Sequence, residues 1–383
     1  MKILVNLARI IVGVLFIFSG LVKANDPLGL SYKMQEFFEV WGWNFFNDYT
    51  LAFSVLMIAF EIIAGVAVLL GWRMKLFSWL LLLLIIFFTF LTGYAVFSGK
   101  IRTCGCFGDC IPLSANQSFT KDLILTILIV FLFRYRDLIR PVFKPGASIL
   151  LLLLTTAFSF GSQAYVLKHL PVVDCLPYKI GKNIPAQMKL PPGAIPDSTV
   201  ITLVYKKQGK QVEFNSNQFP DDFDDSLYQF VNRYDKLVRK GNAEPAIKDF
   251  ALKTASGNDT TQAVLANEGY TVLVFVRDLP GRQSSLRADY LWLHDQQHRG
   301  QISSLFIVTS QREEVLERLE NKAFDIQPSI LTCDYVAVKT ASRNNVTVFL
   351  IKGGNILNKW PYTNFDEARE AIEKIPTPKT INL

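Results

Sequence analysis

Long apolar runs constrain this chain more than any other feature, and almost all of them lie before residue 168. A helix that crosses a membrane needs about 20 mostly apolar residues, because the hydrocarbon core is ~30 Å thick and each residue rises ~1.5 Å. Four runs reach this length, and a shorter fifth becomes adequate if the charged residues at its ends extend it. The predicted spans are Ile3–Val22, Leu51–Leu70, Leu76–Phe97, Leu123–Phe133 (extended by Lys121, Asp122 and Arg134) and Ser148–Leu167.

The distribution of Lys and Arg predicts the orientation of these spans. With a cytoplasmic N-terminus, the inner segments hold Lys2, Arg9, Arg73, Lys75, Arg134, Arg136, Arg140 and Lys144, whereas the outer loops hold only Lys23, Lys33, Lys100 and Arg102. Five spans then place the C-terminal part in the periplasm of a bacterial inner-membrane protein. The amphipathic segment Ser31–Phe46 is too charged to cross and is expected to lie flat on the outer interface. The first run could instead be a signal peptide, but its only cleavage-like site contains Lys23.

The net charge of +7 does not indicate a nucleic-acid partner. The basic residues gather in short loops between apolar runs, as membrane orientation requires. The soluble part has no basic stripe with interleaved aromatic residues. The expected partners are therefore the lipid membrane and a periplasmic protein.

Three cysteines stand within the seven residues Cys104–Cys110 (CGCFGDC), between the third and fourth spans. Gly105 and Gly108 permit tight turns there. In the expected topology, Cys175 and Cys333 also lie on the oxidising side of the membrane. Five cysteines cannot all pair within one chain, so at least one is free or joined to another chain.

Three interpretations of these cysteines remain open. Thiol–disulfide exchange at the membrane surface would use Cys104 and Cys106 as the exchanging pair, with Cys110 or Cys175 as the resolving thiol. A structural disulfide that clamps the loop is the second interpretation. Metal binding is the third, but no His or Met lies within ten residues to complete a soft-metal site, and we predict none.

Glu61 lies near the middle of the second predicted span, where an acid is costly and faces the bundle interior or water. As a functional residue it would accept a proton or bond the head group of a quinone, the one cofactor that the sequence brings into consideration. The structural alternative is a hydrogen bond to one of four polar residues on other helices, Ser19, Thr89, Thr92 and Tyr94.

The segment Ala8–Lys23, the Glu61 span ending in Gly71, and the Cys-Gly-Cys-Phe-Gly loop together resemble the DoxX/MauE superfamily of four-helix membrane proteins. The resemblance covers about residues 3–140 and implies an association with redox chemistry. MauE is implicated in methylamine utilisation, through disulfide maturation of the dehydrogenase, and DoxX relatives include subunits of a thiosulfate:quinone oxidoreductase. Fusion to a fifth span and a soluble domain is similar to a Bacteroidetes subgroup of DoxX-family proteins. No other feature indicates methylamine or thiosulfate as a substrate.

The C-terminal part alternates strands and helices, then ends in a hairpin and a helix, which resembles a thioredoxin-like fold. The predicted strands are Thr271–Val276, Leu305–Thr309, Thr347–Ile351 and Ile356–Trp360, the last two joined by a Gly353-Gly354 turn, and the predicted helices are Ser284–His298, Glu313–Phe324 and Asp366–Lys374. The preceding connector carries a predicted strand, Thr199–Tyr205, and a predicted helix, Asp224–Lys240.

Two positions depart from the thioredoxin pattern. The Cys-x-x-Cys position reads Asp278-Leu-Pro-Gly-Arg-Gln-Ser-Ser285, so it has no thiolate to exchange. The position of the cis-proline reads Asn344-Asn345-Val346. We therefore expect a redox-inactive domain used for binding or for shaping access to the membrane cysteines.

Two further groups have weak functional patterns. His294 and His298 lie four residues apart on a predicted helix and could share a metal, but the adjacent Glu of a zincin and a third ligand are missing, which favours a solvated helix face. Cys333 stands alone, and a buried or surface thiol is favoured over a nucleophile.

The expected architecture is a membrane α-helical bundle, with four DoxX-like helices in residues 1–147 and a fifth span in 148–168, then a connector in 169–243 and an α/β thioredoxin-like domain in 244–383. The expected function is thiol–disulfide exchange or electron transfer at the periplasmic face through the cysteine loop. The alternative, which would not be an enzyme, is a membrane scaffold or assembly factor whose thioredoxin-like domain binds a partner.

Overall fold

The computed structural model of the chain describes residues 1–101, 105–195, 198–207, 209–216, 218–220, 222–224, 227–239, 244–279, 286–319 and 328–376. The N-terminal part is helical. Its helices are α1 (Lys2–Ala24), α2 (Pro27–Trp41), α3 (Thr50–Leu70), α4 (Met74–Ser98), α5 (Ala115–Arg134) and α6 (Pro145–Lys168), with 3₁₀ turns at Asn44–Tyr49 and Arg136–Leu138. Five helical segments are long and apolar enough to cross a membrane: α1, Asn44–Leu70, α4, α5 and α6.

The five predicted spans are confirmed as helices, and the fourth is longer than its apolar run. Helix α5 already begins at Ala115, because the Ser114 hydroxyl accepts a hydrogen bond from the Gln117 backbone and the Gln117 side chain accepts one from the Ser114 backbone. This reciprocal pair is a capping box, which fixes the start of a helix. Most of the segment Ser31–Phe46, which was expected to lie on the outer interface, belongs to helix α2. This helix already begins at Pro27, because the Asp26 side chain caps it at the Gly29 amide, and it ends at Trp41.

Helices α1 and α3 approach closely at small residues. A Cβ atom on Gly65 would lie 2.9 Å from the Gly13 carbonyl oxygen, so both backbones meet at this point. Nearer the far end of α1, a Cβ atom on Gly20 would lie 2.5 Å from Ile62. Small residues permit this kind of contact in membrane helices, where van der Waals packing drives association. The close approach brings the Glu61 turn of α3 against the last turns of α1.

The C-terminal region contains two sheets and short helices. The strands are β1 (Ser198–Lys207), β2 (Lys210–Asn215), β3 (Tyr228–Arg239), β4 (Thr271–Val276), β5 (Ser304–Thr309), β6 (Ile330–Thr332), β7 (Val346–Lys352) and β8 (Asn355–Pro361). The helices are α7 (Ile184–Gln187), α8 (Thr261–Leu265), α9 (Leu286–His298), α10 (Arg312–Leu319), α11 (Tyr335–Ala341) and α12 (Phe365–Glu373), with a 3₁₀ turn at Tyr362–Asn364.

The first sheet has the antiparallel order β2-β1-β3. Here the predicted helix Asp224–Lys240 is wrong, since residues Tyr228–Arg239 form strand β3. β3 pairs with β1 along its whole length, from Lys207 opposite Tyr228 to Ser198 opposite Arg239. That long-range pairing satisfies the backbone groups and overrides the local helical pattern.

The second sheet has the order β6-β5-β4-β7-β8, in which β4, β5 and β6 are parallel and β7 and β8 are antiparallel. Its four predicted strands are confirmed, and β6 and α11 were not predicted. Alternate residues of β4 serve two cores, one shared with α9, α10 and α12, the other with α8 and α11. The hairpin turn at Gly353 and Gly354 is confirmed by positive φ angles at both residues. The start of the predicted helix Ser284–His298 and the end of Glu313–Phe324 lie outside the described residues.

Candidate functional site

A buried ion pair lies inside the bundle, between α1 and α3. Lys23 Nζ is 2.5 Å from Glu61 Oε1, and the two side chains are only 3% and 1% exposed. The hydroxyl of Ser19, one turn before Lys23, lies 3.1 Å from Glu61 Oε2. Ser19 was among the partners predicted for Glu61, whereas Lys23 was assigned to an outer loop. Ser19 and Lys23 have an i, i+4 spacing, which puts both on one helix face. This pattern is the sequence signal for Lys23 as a partner of Glu61.

The other predicted partners of Glu61 make different contacts. The ring of Tyr94 packs edge-on against Trp41. Thr89 shares a hydrogen bond with Thr126, at 3.0 Å between their hydroxyl oxygens. Thr92 donates to Asp122 Oδ2 at 3.1 Å. Asp122 was expected at the membrane interface, but it is fully buried and pairs with Lys121 at 2.6 Å. The bundle therefore has a second buried polar group, at Asp122 on α5. The sequence did not indicate it, because the apolar run of this helix begins only after Asp122.

Cys106 lies in the loop that joins α4 to α5, called here the cysteine loop (residues 99–114). It carries a free thiol. Its carbonyl oxygen lies 3.1 Å from the Ser19 hydroxyl, which also reaches Glu61, so the loop bends down onto the buried ion pair. Burial raises the pKa of the Cys106 thiol, and the Lys121 ammonium partly offsets this rise. Cys104, the predicted partner of Cys106, lies outside the described residues.

Two cavities meet at Cys106. A cavity of about 150 Å³ inside the bundle has a mostly apolar surface, but it is also bordered by the polar residues Ser19, Lys23, Glu61, Lys121 and Asp122. A larger cavity of about 420 Å³ lies between α2, α3 and α4 and is almost wholly apolar. Lys23, Phe88 and Cys106 border both cavities. The apolar side chains around the larger cavity include Met34, Phe37, Phe38, Trp41, Phe60 and Leu91.

A disulfide joins Cys110 to Cys175, with their Cα atoms 4.9 Å apart. It links the cysteine loop to the segment that follows α6. The side-chain amide of Asn25 lies 3.9 Å from Cys110 Sγ and also donates to the Val173 carbonyl at 2.8 Å. The sequence offered Cys110 and Cys175 as alternative resolving thiols, and the structure brings them together.

The C-terminal region is anchored to the same end of the bundle through Arg343. Its guanidinium lies 2.9 Å from Asp26, at the start of α2, and 2.7 Å from Asp109 in the cysteine loop. Burial alone would lower the pKa of Arg343, but the two carboxylates raise it above the usual value. On α2, the Tyr32 hydroxyl accepts a hydrogen bond from Arg277 at 2.9 Å. The cysteine loop, α2 and the C-terminal region therefore lie on one side of the bundle.

Asn344 has a structural role that the sequence did not indicate. It stands at the predicted cis-proline position, and its side-chain amide donates to the Lys168 carbonyl at 2.7 Å. The carbonyls of Leu167 and His169 lie 3.3 and 3.2 Å away. These carbonyls are at the end of α6 and have few partners within a helix, so Asn344 caps the last span.

The remaining candidates lie away from this site. Cys333 is buried in the sheet core, where burial raises the pKa of its thiol to about 11. The rings of His294 and His298 lie 4.4 Å apart on α9. Within the described residues, no group of three or more His, Cys, Asp and Glu side chains is placed to hold a metal ion.

Most residues of this site belong to a segment of the chain that matches a known protein family. Residues 1–135 match the family of the methylamine utilisation protein MauE. Together with the five membrane-length helices, this match shows that the chain is a membrane protein. The matched segment contains α1 to α5, the Lys23–Glu61 pair and Cys106, whereas Cys175 lies beyond it.

A second domain family and one relative also match parts of the chain. Residues 199–240, which contain almost all of the first sheet, match a domain of unknown function (DUF8463). Protein TlpB of Flavobacterium psychrophilum is 29% identical over 128 residues, which are 33% of this chain and 35% of that protein. The match thus spans about a third of that relative's length. No solved structure matches the chain.

Proposed function

We propose that this protein is a membrane thiol–disulfide oxidoreductase that works through the cysteine loop. The observation that supports this most is the position of Cys106. This free cysteine borders two cavities at once, one of which reaches the buried pair of Lys23 and Glu61. Its carbonyl oxygen shares the Ser19 hydroxyl with Glu61. A thiol so placed can meet a membrane-soluble oxidant on one side and a buried proton acceptor on the other.

In the proposed reaction, Cys104 and Cys106 lose two electrons and two protons as a disulfide forms between them. A quinone accepts the two electrons and the two protons and becomes a hydroquinone. The apolar cavity supports this choice, because about 420 Å³ is a suitable size for a flat apolar molecule and its lining includes several aromatic rings. Lys23, at the inner edge, would stabilise negative charge on the reduced ring, while Glu61 holds Lys23 in place.

The C-terminal region is proposed to be a redox-inactive thioredoxin-like domain at residues 244–383. The strand order β6-β5-β4-β7-β8, with its antiparallel final hairpin, supports this fold. Its most direct link to the cysteine loop is the pair between Arg343 and Asp109, which supports a role in positioning that loop.

The quinone proposal is tested by differential alkylation of the full-length protein in membranes. After mild reduction, decylubiquinone should convert Cys104 and Cys106 to a form that resists alkylation, and Cys106→Ser should abolish quinone consumption. Cys333→Ser is the matched control and should leave quinone consumption unchanged. If the loop thiols stay reduced with quinone present, the oxidoreductase proposal is wrong.

A scaffold without redox activity is the second candidate. It is favoured by the Cys110–Cys175 disulfide, which staples the cysteine loop to the segment after α6, and by the Arg343 ion pairs beside it. On this candidate, replacing all four cysteines at this face with Ser would reduce stability without removing a redox reaction. The alkylation experiment separates the two candidates.

The proposed location is the bacterial inner membrane, with the N-terminus in the cytoplasm and the C-terminal region in the periplasm. This orientation follows the excess of Lys and Arg in the inner segments. Alkaline phosphatase fused after Leu383 should be active, and the enzyme fused after Arg140 should be inactive. The opposite pattern would place the cysteines on the reducing side and contradict the proposed chemistry.

A further inference from the structure

A cleft lies outside the bundle, beside the Cys110–Cys175 disulfide. It has a volume of about 690 Å³ and is enclosed by α2, the cysteine loop, the segment after α6 and α11. Cys175 and Pro112 border it on one side, and Val336 and Lys339 of α11 border it on another. We call it the disulfide cleft. It is distinct from both cavities at Cys106.

We propose that the disulfide cleft is the docking site of a thiol-bearing polypeptide, which exchanges electrons with the Cys110–Cys175 disulfide. This inference rests on the proposed thiol–disulfide function and adds its periplasmic substrate. A thiolate must reach a sulfur atom along the S–S bond, so the partner has to bind where a sulfur is accessible. Cys175 borders the cleft and is partly exposed.

The chemistry of the cleft fits a polypeptide better than a small charged ligand. A space of this size holds a ligand much larger than one small thiol. Its lining mixes apolar side chains, such as Val336 and Pro112, with polar ones. The cations of the lining already have partners within the protein. The Arg343 guanidinium is paired with Asp26 and Asp109, and Lys33 is paired with Glu36 at 2.8 Å. The Lys339 ammonium lies over the ring of Tyr32, 4.7 Å from its centroid. An anionic ligand would therefore have to compete with these contacts.

The arrangement also indicates which sulfur is attacked and which leaves. The partner thiolate attacks Cys175 Sγ, a bond forms between the partner and Cys175, and the Cys110–Cys175 bond breaks. Cys110 leaves as a thiolate, which the Asn25 amide 3.9 Å away stabilises until the thiolate takes a proton from water. A second thiol of the partner then displaces Cys175. The partner is oxidised by two electrons, and Cys110 and Cys175 are reduced to thiols.

The test measures the reduction rate of the disulfide in the full-length protein with two reductants. One is a short fluorescent peptide with a Cys-x-x-Cys pair, and the other is dithiothreitol. Val336→Arg places a long charged side chain in the cleft, at a residue that is 56% exposed and tolerates it. Val231→Arg on β3, where Val231 is 44% exposed, is the matched control.

We expect Val336→Arg to slow reduction by the peptide about tenfold, because the long charged side chain would occupy space in the cleft that the peptide needs. It should leave the dithiothreitol rate unchanged, and Val231→Arg should change neither rate. If Val336→Arg does not slow the peptide, or slows both reductants equally, docking in the cleft is wrong, while quinone-dependent oxidation of the loop thiols still supports the proposed function. If neither reductant opens the disulfide in the folded protein, the docking inference fails, and persistence of the loop-thiol reaction decides the proposed function separately.

Discussion

Arg343 Nη2 lies 2.7 Å from the carboxylate of Asp109, so an arginine of the C-terminal region holds the loop that carries the cysteines. The two residues are 234 positions apart in the chain. Asp26 binds the same guanidinium from the bundle side. This single side chain therefore joins the bundle, the cysteine loop and the sheet region, and its removal should weaken the contact between them.

Arg343→Met should lower the stability of this junction by about 3 kcal/mol, because breaking a buried ion pair leaves a carboxylate without its partner. We expect a lower melting temperature in detergent and faster proteolysis between α6 and the sheet region. Lys374→Met is the matched control, since its pair with Glu370 is at 3.8 Å and more than 70% exposed on both sides, and its effect should be near zero. Equal effects of the two substitutions would contradict the junction.

Glu61 and Lys23 should be coupled in stability. Glu61→Leu or Lys23→Met alone leaves one buried charge without a partner and should cost about 3–5 kcal/mol. The double variant removes both charges and should recover much of that loss. Thermal unfolding of the four proteins gives the coupling energy. Glu61→Gln keeps the shape of the side chain, so full quinone activity in Glu61→Gln with misfolding of Glu61→Leu would assign Glu61 a structural role alone.

Gly65 should be intolerant of any side chain. Gly65→Ala places a Cβ atom 2.9 Å from the Gly13 carbonyl oxygen and 2.8 Å from Ile17, and overpacking of this kind costs about 1–3 kcal/mol. A Cβ atom on Gly161 of α6 would have no atom from outside its own helix within 4 Å, so Gly161→Ala should be neutral or slightly stabilising. Melting temperatures of the two variants in one detergent test the contrast. A stable Gly65→Ala protein would show that α1 and α3 are not in close contact.

Cys333 should react slowly with alkylating reagents in the native protein. Its pKa is raised from 9.0 to about 11, so at pH 8 the thiolate is about a hundredfold rarer than for an ordinary cysteine. Because the folded state holds this proton more tightly, the stabilising contribution is present below pH 9 and is lost as the pH rises towards 11. Mass spectrometry after iodoacetamide treatment measures the rate, and denatured protein is the control. Rapid labelling of native Cys333 at pH 8 would contradict its buried position.

The sequence by itself determined the spans and most strands of the second sheet. Twenty apolar residues in a row have few structures open to them in lipid, because the backbone must satisfy its own hydrogen bonds there. The strand Thr271–Val276 was equally clear, since six apolar and β-branched residues in a row suit a strand buried on both faces. The cluster of three cysteines in Cys104–Cys110 is also visible in the sequence alone.

Only the tertiary structure decided which groups meet. The sequence assigned Lys23 to an outer loop and Asp122 to the membrane interface, and both are buried. Local composition cannot show which charged residues have a buried partner on another helix. β3 became a strand only through pairing with β1, and β6 is too short for its pattern to stand out. Cys110 forms a disulfide with Cys175, 65 residues later in the chain. Arg343 pairs with Asp109 because the chain returns to the cysteine loop after α6. Contacts between residues so distant along the chain have no local pattern, since they depend on how the helices and sheets pack.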